Sequence, residues 1–223
     1  MSGLHSRSMT STRSTGIAIY YHFTALNSRD TLVIKLRFRS WQEIREVLEG
    51  VEKHLHDRPR IIVIGGTALV YHGLKRSTKD LDFVFPTQGE CFWFADALSK
   101  MGYEPRRGVR VWRFIDFERD IYVDISYGKV GEVLLTQSVF SRLLEEKIQN
   151  MSVWIPSLED LFILKACHSM DDYGTDAIGD AKRIYERIDM KIVEDELRNQ
   201  SEKVGEKVNR WLEEFGAGAR SKT

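Results

Sequence analysis

Residues 60–85 read RIIVIGGTALVYHGLKRSTKDLDFVF, and two features of this stretch set the fold. Residues 60–64 are bulky and β-branched, which suits a short buried strand. Gly65 and Gly66 end that strand, and residues 67–72 offer one or two helical turns closed by Gly73. A glycine pair between strand and helix lets a phosphate approach the backbone N–H groups closely. The same pair would serve equally well as a tight structural turn in any α/β protein. Residues 80–85 then alternate: Leu81, Phe83 and Phe85 point to a core, while Asp80 and Asp82 project together from the other face. Two carboxylates held side by side repel unless a cation intervenes. A hard divalent ion such as Mg²⁺ suits one or two carboxylates plus substrate phosphates. The competing reading is an edge strand with two solvent-facing acids.

A third acid follows in residues 121–126, where Ile121, Val123 and Ile125 alternate with Tyr122, Asp124 and Ser126. Asp124 therefore sits on the polar face of a later strand. Asp116 and Asp120 fall outside that alternation and suit a turn. Upstream, Ser40 and Glu43 form a capping box, and Ile44, Leu48, Val51 and Leu55 recur on one helical face until Pro59. Residues 17–23 and 31–38 suggest a β-hairpin or extended arm. Downstream, residues 90–101 read as an amphipathic helix stopped by Gly102, and residues 109–115 as a strand. Residues 133–148 carry few breakers and predict a helix. Ser152 to Ile155 is a short β-rich stretch, followed by helices over 156–169, 175–188 and 192–215. In the last of these, Val193, Leu197, Val204, Val208, Trp211 and Phe215 lie at helical spacing.

The order apolar strand, Gly-Gly, helix, Asp-x-Asp strand, later Asp resembles the polymerase-β-like nucleotidyltransferase superfamily. Thirteen residues separate Gly66 from Asp80, a spacer of the family's kind. Residues 63–69 and 76–83 look most like the branch typified by the AbiEii toxins and related small prokaryotic nucleotidyltransferases. The resemblance implies that Gly65, Gly66 and Thr67 line a triphosphate. It implies that Asp80, Asp82 and Asp124 are catalytic and hold Mg²⁺, with Asp124 also orienting or deprotonating an acceptor hydroxyl. Arg76 and Lys79 precede the acid pair; either could neutralise a phosphate, pair with the acids or face solvent. A second partial match is Pro156-Ser157-Leu158-Glu159-Asp160-Leu161, with Lys165 in the lysine position as a phosphate contact. Met170 stands near the place of an expected arginine. Asp176 and Asp180 are spaced more widely than the usual acid pair, and residues 171–174 look like an insertion.

The implied fold class is α+β: a small mixed-sheet nucleotidyltransferase core with flanking helices, then a mostly helical C-terminal region. The expected division is a tail over 1–16, an arm and helix over 17–57, the core over 58–130, a helical region over 131–216 and a tail over 217–223. The 223-residue chain has no net charge, so no global pull toward nucleic acid or membrane is indicated, although a local basic patch is compatible with it. No apolar run approaches the roughly 20 residues of a membrane helix. Cys91 and Cys167 suit buried thiols in a reducing cytoplasm. There is no Walker-type phosphate loop, dinucleotide fingerprint, zinc-protease helix or nucleophile elbow. His54 and His56 fall on different helix faces and Tyr71 and His72 suit packing, so none reads as a ligand. The leading expectation is transfer of a nucleoside monophosphate from a nucleoside triphosphate to an RNA, protein or small-molecule acceptor. The rivals are a toxin–antitoxin-type module that binds a partner protein with little catalysis, and a plain α/β protein with decorative acids.

Overall fold

The computed structural model describes residues 39–107, 111–172 and 175–216. The expected tails and N-terminal hairpin lie outside the described residues. The fold is a mixed sheet with flanking helices, as the sequence implies. Its first element, α1 (Trp41–Glu52), is closed by the expected capping box, with Ser40 accepting from the Glu43 N–H and Glu43 reaching back to the Ser40 N–H. Ile44, Val47, Leu48 and Val51 form its buried face.

Then come β1 (Ile61–Val63), α2 (Gly65–Tyr71), β2 (Asp80–Phe85) and α3 (Gln88–Lys100), followed by β3 (Glu104–Arg107), β4 (Trp112–Asp116) and β5 (Ile121–Tyr127). A small hairpin pairs β6 (Lys129–Val130) with β7 (Val133–Leu134). After a short α4 (Gln137–Ser141) come β8 (Leu144–Ile148) and β9 (Met151–Ile155). The main sheet has seven strands in the order β3-β4-β5-β2-β1-β9-β8. Two of its pairings, β2 with β5 and β1 with β9, are parallel, and the others are antiparallel.

The alternation in β2 works as its sequence suggests. Leu81, Phe83 and Phe85 are buried in the larger core, where Phe94 of α3 packs against both phenylalanine rings. The opposite face carries the acids and, further along, a smaller apolar cluster of Ile62, Ile64 and Val84 beneath Trp154 and Phe140.

The helix expected over 133–148 is not present; β7, α4 and β8 occupy that stretch. Helical propensity is a weak local preference, and pairing of residues 144–148 with β9 outweighs it. The sheet therefore extends past residue 130, into the region expected to be helical. Strand β3 is likewise an addition to the sequence reading.

The remaining helices are α5 (Leu158–Asp172), α6 (Thr175–Tyr185), α7 (Met190–Leu197) and α8 (Glu202–Trp211), closed by a π-turn at Leu212–Gly216. The single helix expected over 192–215 is thus divided. At the break, Gln200 accepts from the Leu134 N–H at 2.9 Å and donates to the Leu134 carbonyl at 3.0 Å. The chain turns there because Gln200 satisfies the β7 backbone, and α8 then folds back on α5. The apolar stripe is consumed internally: Val193, Val204, Val208 and Trp211 are fully buried. Trp211 contacts Phe162 edge-on, at 5.0 Å between ring centroids. Among the described residues, no helix is long and apolar enough to cross a membrane.

Candidate active site

The three acids suggested by the sequence meet on one face of the sheet. Strands β2 and β5 run parallel with Asp82 directly opposite Asp124, and Asp80 opposite Tyr122. Side chains opposite each other in register share a face, so Asp80, Asp82 and Asp124 do so. Asp82 lies deepest. Burial, with the nearby charges of Asp124 and Asp80, pushes its carboxyl from the ordinary 3.8 up to about 6, although Lys165 and the Gly66 N–H pull the other way. Burial also raises Asp80, partly offset by Arg113.

The glycine turn reaches this cluster from β1. Gly65 has φ +60°, a left-handed conformation that favours glycine, and a Cβ there would lie 2.2 Å from Asp82 Oδ2. Gly66 is equally confined, since a Cβ would lie 2.5 Å from Thr78 Oγ1. The Gly66 N–H donates to Asp82 Oδ2 at 3.3 Å. The turn therefore has one backbone donor already committed to the acid it faces.

Thr67 takes a different role from the one implied by resemblance. Its side chain is fully buried, its hydroxyl donates to the Asp80 carbonyl at 3.3 Å, and it accepts from the Asp82 N–H at 2.9 Å. It fastens the start of α2 to the strand carrying the acids, so its hydroxyl is not open to a phosphate. Arg76 is exposed, and the inward place belongs to its neighbour Lys75, whose Nζ lies 2.9 Å from Asp180 Oδ2.

Asp180 itself is buried at 1% exposure and holds three cations: Lys75, Lys165 at 3.0 Å and Arg183 at 3.1 Å. Lys165, projecting from α5, thus stands between Asp180 and Asp82. Asp176 is exposed. Met170, at the position of the expected arginine, packs in the core. Lys75 is the functional candidate that sequence reading missed; the run Leu74-Lys75-Arg76 shows no periodicity that selects one cation over the other.

A cavity of about 230 Å³ opens beside the turn. Its polar lining includes Asp82, Glu132, Lys165, His168 and Asp171 beside Gly65, and its apolar lining includes Ile64, Val130, Leu161 and Leu164. On the opposite flank of the acids, Arg113 of β4 grips Asp124 with two hydrogen bonds, Nε to Oδ1 at 2.7 Å and Nη2 to Oδ2 at 2.6 Å.

The donor set fits a divalent cation in part. Asp80 and Asp82 are adjacent carboxylates whose ionisation is opposed by burial and mutual repulsion, which a cation would relieve. Arg113 donates one hydrogen bond to each Asp124 oxygen, so an ion bound there would share this carboxylate with the guanidinium. Among the described residues, no group of three or more His, Cys, Asp or Glu side chains is arranged to hold an ion. Two carboxylates can still suffice where substrate phosphates and water complete the shell.

The family described as "Nucleotidyl transferase of unknown function (DUF2204)" matches residues 43–214. The crystal structure of ANT(2")-Ia in complex with adenylyl-2"-tobramycin is similar at TM-score 0.52 and 14% identity, over 75% of this chain and 98% of that one. An antigenic nucleotidyltransferase-like protein from Paracoccidioides brasiliensis is similar at TM-score 0.50 and 16% identity, over 81% of this chain and 92% of that one. At such identities the likeness concerns the fold. No curated protein matches the sequence.

Proposed function

Starting from the fact that the chain belongs to this nucleotidyl transferase family, we propose that it is a magnesium-dependent enzyme that moves a nucleoside monophosphate from a nucleoside triphosphate to an acceptor hydroxyl. The observation that carries this reading is the in-register pairing of Asp82 with Asp124, beside a cavity shared by Gly65, Asp82 and Lys165.

In this reading the triphosphate lies along the glycine turn, where the missing side chains permit close approach. Lys165, held in place by Asp180, supplies positive charge at the phosphates. The apolar walls of the cavity take the nucleoside. Asp80 and Asp82 would hold Mg²⁺, which would offset charge on the reacting oxygens. Asp124 accepts the proton of the acceptor hydroxyl. That oxygen attacks the α-phosphorus, a new P–O bond forms, the bond to the β-phosphate bridge oxygen breaks, and pyrophosphate leaves. Most of the rate enhancement comes from positioning and charge neutralisation.

The test is incubation of the full chain with labelled nucleoside triphosphates, Mg²⁺ and cell extract, beside an Asp80→Ala/Asp82→Ala double variant. Label transfer by the wild type alone supports the proposal. Equal labelling by both, or by neither under any condition tried, overturns it. The rival of a partner-binding toxin–antitoxin module drew on the altered C-terminal motif and on the apolar stripe of residues 192–215; burial of Val193, Val204, Val208 and Trp211 inside the fold removes the second motive and leaves the first.

A further inference from the structure

On the flank of the acids away from the glycine turn, a single transverse row crosses four strands. Arg106 of β3 is in register with Arg113 of β4, Arg113 with Asp124 of β5, and Asp124 with Asp82 of β2. All four side chains therefore share the acid-bearing face. With neighbouring strands about 4.8 Å apart, Arg113 stands about 10 Å and Arg106 about 14 Å from Asp82 along the sheet. Arg113 is 45% and Arg106 62% exposed, so both guanidiniums are accessible to a ligand. Arg106 lies over the exposed Phe117 ring at 5.9 Å to the centroid, and Arg113 over Tyr122 at 5.9 Å. The acidic side chains whose charges act on the pair are Glu104, 3.8 Å from Arg106, and Asp124, Asp80 and Asp82 around Arg113.

The placement matters because the cavity, the glycine turn and Lys165 occupy the other side of Asp82. An acceptor hydroxyl that reaches Asp124 must then lie toward β4 and β3. We infer that Arg113 and Arg106 form the acceptor subsite and that the acceptor carries a phosphate ester near its reacting hydroxyl. Guanidinium groups bind phosphate by paired, charge-assisted hydrogen bonds. A phosphate arriving at Arg113 offers it an alternative to Asp124, and the exchange frees that carboxylate to take the hydroxyl proton. The row thereby couples acceptor binding to release of the base. A polycationic acceptor, such as an aminoglycoside, offers these two guanidiniums no anion to bind. Two sources share the required chemistry: the end of a nucleic-acid strand and a small sugar phosphate.

The inference rests on the transferase reading, and its test separates the two. Binding is measured first, without nucleotide. A fluorescein-labelled single-stranded oligoribonucleotide is titrated with the full chain at low salt and followed by anisotropy, with unlabelled ribose 5-phosphate and tobramycin as competitors. The expected result is saturable binding, weakened by at least roughly tenfold in Arg106→Glu. Ribose 5-phosphate competing at concentrations comparable to the oligoribonucleotide assigns the subsite to small sugar phosphates; competition only at great excess assigns it to the strand. Tobramycin should not compete. Absence of binding by both phosphate probes, indifference to Arg106→Glu, or effective competition by tobramycin would overturn the inference. In the transfer assay with the same acceptors, Arg113→Gln should raise KM for the phosphate-bearing acceptor far more than it lowers kcat, because Asp124 is then already free. Arginine-dependent phosphate binding without transfer would defeat the enzyme reading alone. Transfer to tobramycin but to neither phosphate-bearing compound would defeat the acceptor assignment alone.

Discussion

Replacing Asp82 with asparagine should stabilise the protein while abolishing its transfer activity. Burial and the charges of Asp124 and Asp80 raise the Asp82 carboxyl from 3.8 to about 6. Because the folded value exceeds the unfolded one, the folded chain holds more protons between these two values. Stability therefore declines as pH rises through that window and levels off above it. Each unit corresponds to 1.36 kcal/mol, so the ionised carboxylate costs up to about 3 kcal/mol at pH 8. Asparagine keeps an oxygen for the Gly66 N–H and removes the charge. Wild type and Asp82→Asn should melt together near pH 4. By about pH 8 the variant should melt higher, by up to roughly 6–12 °C for a chain of this size. Differential scanning calorimetry in metal-free buffer reads both points. Mg²⁺ with a non-hydrolysable nucleotide should then raise the wild-type midpoint and leave the variant unmoved, since ligand that binds only the folded site stabilises it. Equal melting at both pH values, or a variant less stable at pH 8, would refute the claim that these acids oppose one another in a desolvated cluster.

Gly65→Ala should destabilise the fold and abolish nucleotide binding in calorimetry, because its Cβ would lie 2.2 Å from Asp82 Oδ2 at a φ of +60°. Arg142→Ala should cost about 3–5 kcal/mol in urea denaturation, since it strips the cation from two buried carboxylates. Arg142 Nη2 lies 2.5 Å from Asp160 and 2.7 Å from Glu196, which are only 3% and 1% exposed. Trp211→Ala should cost about 3–5 kcal/mol by the same measurement. Its ring fills the space between Phe162, Tyr185 and Phe215.

Much of the site was legible because its signals are local. Backbone alternation alone places Asp80 and Asp82 on one side of a strand and Leu81, Phe83 and Phe85 on the other. The glycine pair likewise announces itself, and Ser40 with Glu43 specifies a helix start through contacts three residues apart. What could not be read were pairings between distant segments. Nothing in residues 144–148 tells that they join a sheet edge, because the hydrogen bonds that make them a strand belong equally to β9. The helix over 192–215 looked continuous because its apolar period persists across the break, while the reason for the break, Gln200 bound to Leu134, lies on another element.

Local sequence signals suffice for the acid pair, the glycine turn and the nucleotidyltransferase character of the order in which they occur. Tertiary structure decided which other residues join them. It chose Lys75 over Arg76 by placing Asp180 within reach, turned Thr67 from a suggested phosphate contact into a fastening between helix and strand, and set Arg113 on Asp124 through strand register. The physical reason is range: side-chain alternation and capping act over a few residues, whereas charge pairing acts wherever folding brings two groups together, irrespective of their separation along the chain.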